Sequence, residues 1–473
     1  MPKVSVRNPR TGRNDYEVEA FSQPDVFDIS YRLRQHQDDW HKYGIEERVI
    51  RLKRLATTLH RNLDSISAAL ELDTGRRRIA RMEVEGVIAS LETWTAQPNT
   101  AQEQAWTKGK SNPALKYRSQ KVPYQLVGVI SPWNFPLVLS MIDTIPALLA
   151  GCSVLIKPSE ITPRFVSPLA EAVKEAGLSD ILGFVTGDGE TGKALINCVD
   201  AICFTGSVET GKKVALHAAS RLIPAFLELG GKDPMIVLAS SDIELSTDAA
   251  LRGSVLSTGQ ACQSIERIYV AESIYEAFLQ RLVQKAKTVR LNADDISTGE
   301  LGPIIFEKQA KLLESHIRDA VDKGAAVLIG GEIRNIGGGL WMQPTVLSGV
   351  THNMRVMTEE TFGPILPVMK FSTTEEAIAL ANDSDFGLSA SVFSGSLEES
   401  EAVGMELQAG AISLNDAALT SVFHEAEKTS FKDSGLGGSR MGLVSMERFL
   451  RSKALIANTG TPTPISAFSE EKL

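Results

Sequence analysis

The sequence predicts an α/β protein built on two doubly wound parallel sheets. From residue 124 onward, short apolar runs alternate with helix-length stretches, the signature of strands joined by crossover helices. A second run of the same alternation spans about 234 to 446. The chain's 473 residues are enough for two or three domains.

The first predicted element is an amphipathic helix over 45–75. Leu52, Leu55, Leu59, Leu63, Ile66 and Leu70 advance by three or four, and Gly75 is a natural stop. Strands follow at Tyr124–Ser131, Ser153–Lys157, Ile181–Thr186, Ala201–Thr205 and Pro224–Glu228, with helices near 138–150, 164–176, 190–197 and 208–219. Val122 to Ile142 carries no charge and has the length of a membrane span. Pro123, Gly128, Pro132, Asn134 and Pro136 would leave backbone groups unpaired in lipid, so it reads as a buried strand, a loop and a helix start. In the second half, strands are expected at Pro234–Leu238, Arg267–Ala271, Ala325–Ile329, Leu366–Phe371, Ser389–Phe393 and Ala411–Leu414. Helices near 273–288, 304–322, 373–382 and 397–406 interleave with them. Segments 105–123 and 449–473 fit neither half, and Thr459 to Leu473 reads as an exposed tail.

The formal net charge of −9 argues against nucleic acid as a partner. Cys152, Cys198, Cys203 and Cys262 show no CxxC pairing, which argues against a zinc site, and no other metal is expected. A disulfide framework is unusual at this size and the N-terminus lacks an apolar signal, so a soluble cytoplasmic protein is expected.

Ligands of doubly wound sheets bind beyond the carboxyl ends of the strands. Four motifs stand there: Pro132-Trp133-Asn134, Lys157-Pro158-Ser159-Glu160, Phe204-Thr205-Gly206-Ser207 and Glu228-Leu229-Gly230-Gly231. Gly187-x-Gly189-x-x-Gly192 also follows a strand and opens a helix, as a pyrophosphate cradle or an ordinary turn would. Cys262 is either a small buried hydrophobe or a nucleophile; its Gly259-Gln260-Ala261 flank suggests a loop. Glu228 reads equally as a buried general base or as the ion-pair partner of Lys232. Asn134 reads locally as a turn residue bonding its own backbone, or else as an amide donor for a developing oxyanion.

Together with Glu360-Thr361-Phe362-Gly363-Pro364 and Lys432-Asp433-Ser434-Gly435, these motifs resemble, in order and spacing, the aldehyde dehydrogenase superfamily over nearly the whole chain. The resemblance implies an aldehyde dehydrogenase-like fold. Residues 1–104 and 124–229 would form a Rossmann-like NAD-binding domain and 230–446 a catalytic domain. Residues 105–123 and 447–473 would form a β oligomerisation arm and tail. It implies NAD-dependent oxidation of an aldehyde, with NADP as an alternative cofactor. Cys262 would be the nucleophile, Asn134 with the Cys262 N–H the oxyanion hole, and Glu228 the base that hydrolyses the thioester. Ser207 opens the helix near the pyrophosphate, alongside Phe204, Thr205 and Gly206. Gly187 and Gly189 line the adenosine side, Lys157 and Glu160 hold the adenine ribose beside Ser159, and Glu360 and Phe362 hold the nicotinamide ribose and ring. Ile130, Ser131, Pro132, Trp133 and Leu229 complete the cofactor wall.

Phe135, Leu139 and Ile142 would line the substrate tunnel and, lacking a cation, favour an apolar or aromatic aldehyde. A homodimer or homotetramer is implied, and no membrane partner. The chain departs from common family patterns at Asp143, at Lys428-Thr429-Ser430-Phe431 and at Gly437-Gly438-Ser439-Arg440. From sequence, these departures touch neither nucleophile nor base.

Overall fold

The computed structural model describes residues 2–96 and 105–470; residues 1, 97–104 and 471–473, including the expected boundary at 104, lie outside the described residues. Its first sheet has six strands, ordered Gly435–Leu436, Ala225–Glu228, Ala201–Thr205, Leu126–Ile130, Ser153–Lys157, Leu182–Phe184. Only the Gly435–Leu436 pairing is antiparallel. That strand falls within 230–446, so the second half returns a segment to the first sheet. Strand order reverses between Leu126–Ile130 and Ala201–Thr205, which creates a crevice at their carboxyl ends.

Strand alternation sorts the side chains into two cores. Val127, Val129, Val154 and Ile156 face the helices Gly44–Arg61, Arg77–Ala96 and Pro136–Ala150. Leu126, Leu155, Ile202 and Phe204 face Gln23–Lys42, Gly189–Cys198 and Val208–Ser220. Each such aliphatic side chain, wholly buried, contributes roughly 1.5–3 kcal/mol.

The second sheet has seven strands, ordered Ala326–Ile329, Thr345–Ser348, Ile365–Phe371, Ile265–Ala271, Asp233–Val237, Ser389–Phe393, Ala411–Leu414. All neighbours are parallel except the first pair. The parallel sheet expected from the sequence is present, and Thr345–Ser348, a strand that the sequence pattern does not single out, supplies the antiparallel pairing at that edge. The helix expected over 45–75 is two helices, Gly44–Arg61 and Leu63–Thr74. Asn62 breaks it, its side-chain amide donating to the Thr58 carbonyl at 3.0 Å. The apolar spacing continues across the break, which is why the sequence shows none; Gly75 ends the second helix in left-handed conformation.

The two unassigned segments meet. Leu115–Pro123 pairs antiparallel along its whole length with Leu450–Asn458, and Thr107–Lys108 adds a short third strand. Among the described residues no helix is long and apolar enough to cross a membrane, and all four cysteines are free.

Candidate active site

A cleft of about 730 Å³ runs from the crevice of the first sheet to Cys262. Every cofactor-wall residue named from the sequence lines it, except Gly187. Gly187 lies against the side chain of Thr191 instead, and Asp188, Gly189 and Gly192 face the cleft in its place. Ser207 caps the helix Val208–Ser220, its hydroxyl accepting from the Thr210 N–H. The remaining first-turn N–H groups and the helix dipole suit an anion there. Lys157 is buried; its ammonium donates to Glu160 Oε2 and to the Pro158 carbonyl, both at 3.2 Å. Burial lowers its pKa, and Glu160 opposes that shift. Lys193, Thr210, Lys213, His217 and Phe306 also line the cleft, and sequence reasoning misses them; the helical spacing of Thr210, Lys213 and His217 beyond Ser207 is the available signal.

The two sheets touch through aromatic rings. Trp133 meets Phe362 edge-on, with centroids 5.3 Å apart, and Phe306 stands 6.0 Å from Trp133. Phe362 has a φ of +53°, and a buried ionic network holds it there. Glu266 Oε1 accepts from the Phe362 N–H and Oε2 from the Thr361 N–H, each at 2.7 Å. Lys232, wholly buried, donates to Glu266 at 2.8 Å and to the Thr361 hydroxyl at 2.7 Å. This corrects one reading of Glu228: Lys232 pairs with Glu266, not with Glu228. Glu360 accepts from the Gly231 N–H at 3.1 Å, and its carboxyl lies so close to Gly230 that a Cβ there would sit 2.6 Å from Oε2. Burial, reinforced by Glu266, pushes the Glu360 carboxyl up to about 8.

Cys262 sits on the loop before Ile265–Ala271, at the amino end of its strand. The loop is tightly wound: Ser257, Thr258 and Gly259 all have positive φ. A Cβ on Gly259 would lie 2.3 Å from the backbone of Gly363, so only glycine fits. Buried Gln260 braces the turn, donating to the Ser257 and Pro303 carbonyls and accepting from the Ile305 N–H. Cys262 is partly open to the cleft. Dense protein around the sulfur still pushes its pKa up to about 12, mainly by desolvation, with Glu228 adding to the rise and Lys428 opposing it. The resting thiol therefore holds its proton at neutral pH.

Asn134 does not bond its own backbone. Its side-chain amide donates to the Gln260 carbonyl at 3.0 Å, in the loop that carries Cys262. Arg76 bonds the Asn134 carbonyl, and Glu83 accepts from the Leu137 and Val138 N–H groups at the start of the helix Pro136–Ala150. Leu139 lines the cleft; Phe135 and Ile142 do not, and the Phe135 ring packs against the Arg76 guanidinium.

The departures from the family pattern do touch Glu228, which corrects the sequence reading. Lys428 donates to Glu228 Oε1, and the Ser430 hydroxyl donates to the same oxygen at 3.1 Å. Asp143 and Arg440 are partners: the carboxylate is wholly buried between Arg440 and Arg448, and Arg440 also donates to the Thr205 hydroxyl at 2.7 Å. The two departures are thus joined in one buried ionic cluster.

The model of the "Aldehyde dehydrogenase family" matches residues 2–455. A Mycolicibacterium smegmatis protein named "Putative succinate-semialdehyde dehydrogenase [NADP(+)]" is 34% identical over 464 residues, 96% of this chain and 90% of that protein. A solved structure titled "Putative Aldehyde Dehydrogenase PutA" from Anabaena variabilis is 50% identical, with a TM-score of 0.95 over 98% of this chain and 99% of that one. Staphylococcus aureus betaine aldehyde dehydrogenase, solved in complex with NAD+, is 30% identical, with a TM-score of 0.92 over 99% and 94% of the two chains.

Proposed function

The chain belongs to the aldehyde dehydrogenase family, whose general reaction is oxidation of an aldehyde to a carboxylic acid, and we propose that it performs this reaction through a thioester on Cys262. The observation that carries the reading is that Cys262 and Asn134 line one end of a cleft whose other end is a helix N-terminus, while the Glu228 carboxylate, which does not line the cleft itself, lies close enough to act electrostatically on the Cys262 thiol. The lining fits a nicotinamide dinucleotide: N–H groups above Ser207 for the pyrophosphate, Lys157 and Glu160 for ribose hydroxyls, and Glu360 with Phe362 toward Cys262. When bound, that cofactor supplies the two-electron acceptor.

The residues do the remaining work. Cys262 gives up its proton to a base, for which Glu228 is the neighbouring carboxylate, and its sulfur bonds the aldehyde carbon. The negative charge on the former carbonyl oxygen falls between the Asn134 amide and the Cys262 N–H. Oxidation of that carbon leaves a thioester on Cys262. Having passed that first proton to solvent, Glu228 takes a proton from water, whose oxygen attacks the thioester and releases the acid and the thiol.

We assign NAD as the preferred cofactor, because a 2′-phosphate would face the Glu160 carboxylate; one relative is named for NADP and one neighbour holds NAD+. For the substrate we favour an apolar or aromatic aldehyde. Leu139 lines the cleft, and the cation beside Cys262, Lys428, is already engaged by Glu228. The relatives' names span an anionic and a cationic aldehyde. The Leu115–Pro123 and Leu450–Asn458 strands form the surface we assign to homodimer or homotetramer assembly, in keeping with an open, exposed edge strand.

The test is stopped-flow NADH formation. Cys262→Ala should abolish it, and Glu228→Gln should leave a burst of up to one NADH per site, formed more slowly, while turnover falls by ~10²–10⁴-fold. Turnover by the first variant, or wild-type turnover by the second, would defeat the mechanism. Comparing kcat/KM for hexanal, benzaldehyde and succinic semialdehyde, each with NAD and NADP, decides substrate class and cofactor; a preference for the semialdehyde or for NADP would count against these assignments.

A further inference from the structure

Glu228 does not stand alone at the end of its strand. Gly435–Leu436 is zipped antiparallel onto Leu227 and Glu228, with Gly435 opposite Glu228, and the Ser434 carbonyl accepts from the Leu229 N–H at 2.9 Å. This register lays residues 428–430 over the carboxylate. The Lys428 side chain is 4% exposed and the Glu228 side chain 15% exposed. The Lys428 backbone is itself fixed, its N–H donating to the Ser439 hydroxyl at 3.0 Å, which in turn donates to the Met441 carbonyl at 2.8 Å.

Both donors reach the same oxygen. Lys428 and Ser430 bond Oε1, while Oε2 accepts no hydrogen bond from the described residues and is not sealed from solvent. One oxygen is pinned and the other is free. Resting on the reading of Glu228 as the base, we infer that Lys428, with Ser430, is a positioning residue for thioester hydrolysis. It fixes the rotation of the Glu228 carboxylate so that Oε2 is the atom presented to water.

Two effects compete. An ammonium on a carboxylate stabilises the charged form and by itself makes a poorer base. A base held in place gains from orientation, and misplacement by about 1 Å can cost ~10²-fold. Here orientation wins, so removing Lys428 slows hydrolysis. If the pair were only a restraint on a mobile base, removing it would speed hydrolysis.

The experiment uses the full-length enzyme with saturating NAD and whichever of hexanal, benzaldehyde or succinic semialdehyde has the highest kcat/KM. The NADH burst reads acylation, and quench with mass spectrometry reads the lifetime of the acyl adduct on Cys262. Lys428→Met should keep the amplitude of the burst and lengthen the adduct lifetime about 10–100-fold, and Lys428→Arg should restore most of the rate. Placed in a Glu228→Gln enzyme, Lys428→Met should change the lifetime less than about 2-fold, since it acts through Glu228. A Lys428→Met enzyme that hydrolyses as fast as wild type or faster, or effects that multiply in the double variant, would overturn the proposal. Should Lys428→Met show no burst, Ser430→Ala decides, because it removes one donor to Oε1 without exposing a buried charge. A longer lifetime supports the clamp and an unchanged one overturns it. Glu228→Gln at the wild-type rate would instead remove the base assignment itself, a different failure from that of the clamp.

Discussion

The two sheets meet the cleft by opposite ends. The first presents the carboxyl ends of its strands, with Ser131-Pro132-Trp133-Asn134 and Thr205-Gly206-Ser207 around the crevice where strand order reverses. The second presents amino ends, Cys262 before Ile265 and Glu360 and Phe362 before Ile365, while Lys232, Asp233 and Ser389, buried at the same ends of their strands, do not line the cleft. The chemistry differs accordingly. Carboxyl ends feed helices, so the first edge offers backbone N–H groups and a dipole. The second edge's loops are held by buried ionisable side chains, and the helix Glu307–Asp322 reaches the cleft through the side chains of Gln309 and Leu312. One edge offers backbone groups suited to an anion, and the other holds Cys262 and an aromatic wall in set positions.

If that contrast holds, cutting one side chain of the second edge should cost most. Lys232→Met leaves Glu266 buried with only two backbone N–H partners. Breaking a buried pair from one side costs about 3–5 kcal/mol, and the loss should show in denaturant unfolding together with a raised KM for NAD, because Phe362 loses its anchor. A loss under about 1 kcal/mol would mean that water replaces the ammonium, and the second edge would not be the rigid one.

The contrast also explains what is legible in the sequence. The first edge obeys a positional rule, so Ser131 to Asn134, Lys157 to Glu160 and Phe204 to Ser207 stand out at strand ends from the sequence alone. Leu126–Ile130 and Ser153–Lys157 show as apolar runs because both faces of a parallel sheet are covered. The second edge is assembled from distant positions, Lys232 with Glu266 and Asp233 with Ser389, and Glu228, at the carboxyl end of a first-sheet strand, is likewise met by the distant Lys428. Nothing local marks such pairs, and Lys232 suggests itself as the partner of Glu228 only because it is near in sequence. The departures at Lys428 and Ser430 are visible, but their target lies 200 residues upstream of Lys428 and is reached only through the Gly435–Leu436 register. Edge geometry escapes for a similar reason: the direction of Ala326–Ile329 depends on a partner, Thr345–Ser348, and not on its own residues.

Titration sharpens the comparison. Burial pushes the Asp233 carboxyl up to about 7, against hydrogen bonds from Ser389 that favour its charged form. A carboxyl with a raised folded-state pKa binds more protons folded than unfolded. Its contribution to stability is full below the unfolded value and is lost as pH rises through about 7. Cofactor-free enzyme should therefore unfold more easily at pH 8.5 than at pH 6, and Asp233→Asn should flatten that part of the slope by about 1 kcal/mol. Thermal unfolding of both proteins at the two pH values measures it. An equal slope in the variant would place the sensitivity elsewhere, with Glu360, whose carboxyl is pushed up to about 8, the next to substitute.

The smallest effect is expected on the first edge, and its smallness is the point. Ser207 opens the helix nearest the pyrophosphate position, yet its hydroxyl is turned onto the Thr210 N–H at 3.4 Å, a long bond. Ser207→Ala removes that cap and should cost at most about 0.5–1 kcal/mol of stability. The N–H groups at the helix start belong to the backbone and survive the substitution, as does the dipole behind them. Affinity for NAD, measured by quenching of protein fluorescence, should then change less than about 3-fold. The same change at the second edge would strip a donor or acceptor that nothing replaces. A loss beyond about 10-fold, or about 1.4 kcal/mol, would make the Ser207 hydroxyl itself a ligand of the cofactor. The first edge would then hold its ligand by side chains as the second holds its loops, and the difference between them would be one of sequence distance rather than of chemistry.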